Sequence, residues 1–550
     1  MRSYNAVNGV PSCANDWLLK TVARGEWGFD GYVTSDCGAD NDVFFNHHYT
    51  KTAEESVAAI LKAGTDVDCG GFIGKYAQNA LNKSLIVEAD LDERLKYLFT
   101  MRMRLGHFDP IGAMGTIPAS AICTEETQVT AADGAAQGAA LLKNDKALLP
   151  LKGTSSVAVI GPNSDLSSKI ASYYGPGNVC DGKFYTLIDA VKAHAKSVVS
   201  IKGVPDVKSS NTSGIADAVT MAKSVDVVIL AIGTDLSWAR EGTDADPVNG
   251  ISLSAGQTAL VDAVTKAAKA PVIVVTMTAT PLDISAILAN PKVGAVLHVG
   301  QPAVAIRGVG DVLYGVKPPA GKLIQTIYPK AYATEVSIFD FNMRPGPSPF
   351  PAPGCTIQPP SKCPNGTNPG RTYRFYTGKA IKPFGYGLSY TTWKYDLHHS
   401  SSGLHHSSSP SSASTISLQP LRDMLQHATD AKRTFVSLEA VKAAKPFVQY
   451  AVNVTNTGTV DSDDVVLGFL TPPGAGTKGA PKKVLFGFER VFVKAGETKT
   501  VWLYPAATDF SAVDEHGKQH ALAGEYKVEI GVEEAKEEGM GFVRDSFVAA

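Results

Sequence analysis

The run VDVVILAIG, residues 225–233, is broken by one aspartate and closed by a glycine. A short, continuous apolar run bounded by turn signals is what a strand of a parallel sheet looks like when helices cover both of its faces. Three more runs of the same kind lie around it: SVAVIG at 156–161, PVIVVTM at 271–277 and VGAVLHVG at 293–300. Helical stretches at Ala216–Lys223 and Gln257–Lys269 separate them. The alternation predicts an α/β domain with its own core.

Upstream, between Tyr4 and Asp109, the alternation is weaker but of the same type. GYVTSD (31–36) reads as a short strand, and Thr52-Ala53-Glu54-Glu55 as a capping box opening a helix with Val57, Ile60, Leu61 and Gly64 on one face. TDVDCGG (65–71) reads as a second short strand, and LDERLKYLFTMRMRLGHF (91–108) as an amphipathic helix. In GYVTSDCGAD (31–40) a strand delivers the carboxylate of Asp36 into a turn. Such a group either caps the following helix or is held out over a pocket as a reagent, and local sequence does not choose.

Downstream, residues 345–371 are rich in Pro, Gly, Ser and Asn and read as an irregular connection that Cys355 and Cys363 can pin. LHHSSSGLHHSSSPSSAS, from Leu397, begins with two near-identical units and reads as a flexible linker. Its His398, His399, His405 and His406 have ligand chemistry, but nothing fixes their geometry for a metal. Beyond it, FVQYAVNVTNTG, VVLGFLTPP, KVLFGFERVFVKAGETKTVWLYP and GEYKVEIGV alternate with the period of strands and predict an antiparallel β-sandwich.

A chain of 550 residues, 44% hydrophobic and 19% charged, can bury several cores. A formal charge of −2 gives no electrostatic case for nucleic acid or an anionic membrane as a partner, and no apolar run approaches a membrane span. The seven cysteines show no metal-ligand spacing and are too sparse for a disulfide scaffold, and their odd number leaves at least one unpaired. Sequons begin at Asn82, Asn211, Asn365 and Asn453 and suit a secreted chain, whereas Met1-Arg2-Ser3-Tyr4 lacks the apolar core of a signal peptide.

SYNAVNGVPSCAN, WGFDGYVTSDCGA, HHYTKTAEESVAAILKAGTDVDCG, RLGHFDP, ALLKNDKALLPL and GRTYRFYTGKAIKPFGYGLSYTTW occur in that order. Together they resemble glycoside hydrolase family 3, in the branch of β-xylosidases and α-arabinofuranosidases. The resemblance implies a (β/α)8 barrel, an α/β sandwich and a fibronectin type III-like domain. Here it implies a C-terminal portion of the barrel over 1–125, the α/β sandwich over 126–395, a Ser/His-rich linker over 396–433 and the β-sandwich over 434–550. A whole barrel takes ~250 residues, so the resemblance implies an N-terminally truncated chain. The longer protein would be extracellular, with its signal peptide upstream of Met1.

The same resemblance assigns roles. Asp36, in the SD that ends a late barrel strand, falls on the catalytic nucleophile, and Cys37 stands where β-glucosidases of the family carry tryptophan. GTDLSWAREGTDAD (233–246) is similar to the family's Glu-x-Glu-Gly-x-Asp-Arg. Glu241 takes the second glutamate and the role of general acid/base, and Gly242 and Asp244 also match. Ala239 and Ala245 stand where the family has glutamate and arginine.

Tyr4 matches the tyrosine whose hydroxyl can bind the nucleophile's carboxylate in the substrate site, with core packing as its other reading. His47 and His48 read as loop structure, and His107 as packing. Cys37 and Cys69 either pair or stay as buried thiols.

The implied activity is that of a retaining exo-acting glycoside hydrolase. It would be a β-xylosidase releasing xylose from xylo-oligosaccharides or another plant cell-wall glycan, with no metal or organic cofactor required. The other reading is a non-catalytic carbohydrate-binding or interaction protein, a pseudoenzyme remnant beside a broken barrel. Nucleotide binding is disfavoured, since VIGPNSD and AIGTDLS lack a phosphate-cradling glycine pattern.

Overall fold

A computed structural model describes residues 1–152, 156–166, 180, 185–240, 249–357, 359, 362–400, 414–416, 449–513 and 519–549. These fall into two compact units, Met1–Ile117 and the described residues from Pro118 onward.

In the first unit, three segments run side by side in parallel, Arg2 bridging Ser35 and Thr34 bridging Val67. Two short strands, β1 (Ala6–Val7) and β2 (Val10–Pro11), pair antiparallel, and helices α1 (Ala39–Phe45), α2 (Ala53–Ala63), α3 (Phe72–Asn82) and α4 (Glu88–Arg104) follow in chain order. GYVTSD and TDVDCGG are therefore shorter than the strands predicted, because their flanking segments meet them for only a residue each. Helix α2 is as read. Thr52 accepts from the Glu55 amide while Glu55 accepts from the Thr52 amide, and Val57, Ile60 and Leu61 are buried with Val43, Phe72 and Ile86.

Helix α4 is amphipathic as read, with Leu91, Leu98 and Met101 half-buried on the face that holds Arg94, its one buried residue, while Leu95, Phe99 and Met103 are exposed. The arginine goes inward to meet Asp66. His107, predicted as packing, is exposed, with its ring edge-on to Phe108.

In the second unit six strands order as β3-β8-β7-β6-β4-β5. They are β3 (Ala140–Asn144), β4 (Ser156–Ile160), β5 (Ser197–Ile201), β6 (Val227–Gly233), β7 (Val272–Met277) and β8 (Val293–His298). All are parallel except the edge strand β3, which runs antiparallel to β8. The central strands β6, β7 and β8 are buried almost end to end, as their continuous apolar runs require.

Residues 345–371 are not wholly irregular. Gly346–Pro351 (β9) and Asn365–Asn368 (β10) pair antiparallel, and Cys355 and Cys363 between them form a disulfide. The linker expected over 396–433 also needs correction. Its first residues belong to β11 (Trp393–Ser400), in which Leu397, His398 and His399 pair with Val452, Ala451 and Tyr450 of β13 (Gln449–Asn456). Backbone pairing needs no apolar side chain, so a low-complexity stretch can extend an edge strand. Further on, Ser414–Ile416 (β12) pairs in parallel with Phe542–Ala549. His405, His406 and the rest of the linker lie outside the described residues.

The β-sandwich consists of β11-β13-β16 facing β12-β20-β19-β14-β15. The later strands are β14 (Ser462–Thr471), β15 (Val484–Val493), β16 (Thr498–Leu503), β19 (Gly524–Gly531) and β20 (Phe542–Ala549), with β17 (Ser511–Val513) and β18 (Gln519–Ala521) forming a separate two-stranded ribbon. The sandwich shares a core with the α/β layer, where Leu467, Phe469 and Val532 join the cluster that contains Tyr386 and Leu388. A buried pair, Lys322 Nζ to Asp464 Oδ1 at 2.9 Å, crosses the same boundary, with the Tyr395 hydroxyl donating to Asp464 Oδ2 at 2.6 Å.

The cysteines are more paired than their sparseness predicts. Cys37–Cys69, Cys123–Cys180 and Cys355–Cys363 are disulfides, and Cys13 is a buried thiol.

Candidate active site

Asp36 stands where the short parallel segment ends. Its amide donates to the Arg2 carbonyl at 2.6 Å, and the Ser35 amide to the Val67 carbonyl at 2.9 Å, so both neighbouring segments hold the backbone. The side chain is half-buried. It does not cap α1: the residue before that helix is Gly38, in the left-handed region at φ 85°, and no side chain caps it. Asp36 Oδ1 accepts the Cys37 amide at 2.7 Å, and its other oxygen takes no hydrogen bond from the described residues. Of the two roles the sequence leaves open, the geometry is that of a presented carboxylate.

The loop beneath it is fastened to residues 67–70. The Gly38 amide donates to the Cys69 carbonyl at 2.8 Å, the Cys69 amide to Ser35 Oγ at 2.8 Å, and the Cys37–Cys69 disulfide closes the pair. A cleft of about 450 Å³ opens beside this loop, lined by Gly38, Phe45, Asp68, Phe72 and Tyr76 among others. Tyr4 lies against the loop too, at 44% exposure, which rules out core packing. Its hydroxyl donates to the Cys37 carbonyl at 2.9 Å, a bond to the loop's backbone beside Asp36. His47 Nε2 is 2.7 Å from the Tyr4 carbonyl and fixes that residue in turn, while His48 is in the left-handed region at φ 48°.

Sequence reading passes over Asp40, four residues on. It is fully buried on α1, beside the Cys13 thiol, Ser35 and the Asp68 carboxylate. Burial pushes its pKa up to about 7; the Cys13 thiol and Ser35 pull the other way, and the Asp68 carboxylate adds to the rise. The signal was available: Asp40 and Val43 share the inward face of α1, and a carboxylate where helical period demands an apolar residue is an anomaly.

An acid whose pKa rises on folding stabilises the fold fully below its unfolded value, near 4, and that contribution is lost as pH rises through about 7. Asp40→Asn is therefore expected to gain on the parent chain by roughly 3 to 4 kcal/mol between pH 4 and pH 8. Urea denaturation of both at the two pH values measures the gap, and a gap that does not move with pH contradicts it.

The acid/base segment leaves the end of β6. Gly233 adopts φ 141°, and a Cβ there would collide with the Met277 carbonyl, so only glycine lets the chain turn so close to β7. Gln257, fully buried, clamps the turn: its Oε1 accepts the Gly233 amide at 2.9 Å and its Nε2 donates to the Gly233 carbonyl at 3.0 Å. Asp235 Oδ1 accepts from the Ser237 amide and hydroxyl, and Trp238 is wholly buried behind it. Ala239 is buried at 8% exposure. Glu241, Gly242, Asp244 and Ala245 lie outside the described residues. Among the described residues no three His, Cys, Asp or Glu are grouped to hold a metal ion, and no helix is long and apolar enough to cross a membrane.

Parallel segments ending in a presented carboxylate, an α/β sheet domain and a fibronectin-like sandwich define a multidomain α/β plus β protein. The glycosyl hydrolase family 3 N terminal domain matches residues 1–100, its C-terminal domain residues 139–390, and a fibronectin type III-like domain residues 464–534. The chain belongs to glycosyl hydrolase family 3.

Among similar proteins, beta-D-xylosidase 1 of Arabidopsis thaliana is 34% identical over 538 residues, 96% of this chain and 65% of its own length. A probable exo-1,4-beta-xylosidase of Aspergillus oryzae is 33% identical, over 97% of this chain and 61% of its own. Beta-xylosidase/alpha-L-arabinofuranosidase 2 of Medicago sativa subsp. varia is 34% identical, over 96% and 64%. The chain thus spans just under two thirds of the length of these relatives. A solved family 3 exo-beta-xylosidase, in complex with a xylobiose aziridine activity-based probe, superposes with a TM-score of 0.82 at 28% identity, covering 100% of this chain and 66% of that one.

Proposed function

We propose that the chain is a retaining exo-acting β-xylosidase, with Asp36 as nucleophile and Glu241 as general acid/base. The observation that carries this reading is the Asp36 carboxylate: half-buried, presented beyond a backbone-anchored segment, and spared from capping the helix behind it. The names of the relatives point to xylosides as substrates.

In the first step Asp36 attacks the anomeric carbon while Glu241 gives its proton to the glycosidic oxygen, and the sugar–oxygen bond breaks. In the second, Glu241 takes a proton from water, which displaces Asp36 and restores the original anomeric configuration. Such a pair works with the carboxyl groups ~5 to 5.5 Å apart. Glu241 must stay protonated until the first step, a state that burial or a neighbouring carboxylate favours in such acids.

Tyr4 acts as a positioning residue on the nucleophile's loop through its bond to the Cys37 carbonyl. The reaction needs neither metal nor organic cofactor. Its natural substrate would be a xylo-oligosaccharide or another cell-wall glycan, met outside the cell, where the three disulfides among the described residues also persist.

The test is turnover of 4-nitrophenyl β-D-xyloside by the 550-residue chain. Release of nitrophenol together with β-configured xylose supports the proposal. No release, in a chain shown to be folded, favours the non-catalytic carbohydrate-binding reading.

A further inference from the structure

Within the second unit, a cavity of about 400 Å³ lies between residues 372–384 and the β-sandwich. That is within the ~300 to 1,000 Å³ of small-molecule sites. Three features distinguish it from a packing gap. Its wall holds aromatic surface: Tyr373 is stacked on Phe384 with ring centroids 4.5 Å apart, and Tyr376 lines it beside Gly378, where any Cβ would run into the Tyr376 ring. It also holds a buried hydroxyl that is poorly satisfied: Thr326, 5% exposed, makes no well-formed hydrogen bond through Oγ1 among the described residues, with the Tyr328 hydroxyl as its neighbour. A buried hydroxyl left poorly paired costs free energy that a ligand's own hydroxyl would recover.

The third feature is a strained residue. Thr372, β-branched, is held in the left-handed region at φ 62°, its amide donating to the Tyr328 hydroxyl at 2.7 Å.

The charged residues at the cavity are balanced. Lys483 lies 3.4 Å from Glu529, Lys482 donates to the Tyr376 carbonyl at 3.0 Å, and Lys379 and Glu534 stand exposed at the lining. Three amines with two carboxylates and threonine hydroxyls offer both donors and acceptors at little net charge, which suits a ligand dense in hydroxyl groups. Aromatic faces suit the apolar C–H faces of a sugar ring. We propose that this cavity binds a neutral oligosaccharide, as a second glycan site on the α/β and β-sandwich unit. The inference does not depend on Asp36 being a nucleophile.

The test is hydrogen exchange by mass spectrometry on the Asp36→Asn chain with added xylohexaose, which reads binding without turnover. Exchange is expected to slow in residues 371–384 and 482–485. Thr326→Val combined with Lys379→Ala is expected to weaken xylohexaose at this site at least tenfold while leaving exchange elsewhere unchanged. Protection confined to residues 31–76, no protection at all, or an affinity unmoved by the double substitution overturns the inference. If the double variant does not fold, Glu534→Gln at the exposed rim carries the same test, with a severalfold loss of affinity expected and no loss overturning it.

Discussion

Asp36→Asn is expected to lower aryl β-xyloside turnover on the order of 10⁴-fold or more, because it removes the charge that must bond to the anomeric carbon. The amide is close to isosteric and its oxygen can still accept the Cys37 amide, so the loop should keep its shape. Loss of activity would then be chemical rather than structural. A second variant gives a positive signature. Asp36→Gly leaves room for a small anion on the face the carboxylate served, so added azide should restore turnover and yield α-xylosyl azide. Variants that retain activity, or rescue that gives the β-azide, would contradict Asp36 as nucleophile. A folded parent chain that never turns over aryl xylosides would contradict the catalytic proposal as a whole.

The second large effect is on stability, at Asp66. Its side chain is fully buried and takes three charge-assisted bonds: from Arg24 at 2.7 Å, from Arg94 at 2.9 Å and from the Val33 amide at 2.6 Å. Asp66→Ala takes the buried carboxylate from two guanidinium groups, 11% and 3% exposed, leaving Arg24 with the Phe29 and Gly31 carbonyls and Arg94 with the more exposed Glu93, and should cost about 3 kcal/mol. Since Val33 lies on the segment that presents Asp36, the loss should also speed amide exchange at Ser35 and Asp36. The exposed pair of Asp30 with Arg104 provides the control: Asp30→Ala should leave the denaturation midpoint unchanged, because solvent screens that pair. Equal losses for the two variants would show that burial is not what gives Asp66 its weight.

Much of this was legible in the chain. The capping box at Thr52, the four apolar runs of the central sheet and the alternating strands of the sandwich are local patterns. Each is set by which residues recur at what period, and each appears in the structure where it was read. The misreadings share one cause, dependence on partners far away in sequence. Low complexity at Leu397–Ser400 concealed a strand because β13, some fifty residues on, supplies its hydrogen bonds. Nor did the helical period of α4 show that a charged residue, Arg94, takes its most buried position, because its partner Asp66 lies twenty-eight residues back.

For the candidate site, the sequence by itself determined which carboxylate to examine, since the residues around Asp36 carry the family's pattern. It could not determine what that carboxylate touches. Only the tertiary structure decided that Asp36 is presented rather than spent on a helix cap, that Tyr4 holds the Cys37 carbonyl, and that Cys37 and Cys69 join two loops. It also decided that Asp40 lies buried beside Cys13, Ser35 and Asp68. The reason is physical: hydrophobic period and capping act over a few residues, whereas hydrogen bonds, disulfides and desolvation depend on which distant groups folding brings within a few ångströms.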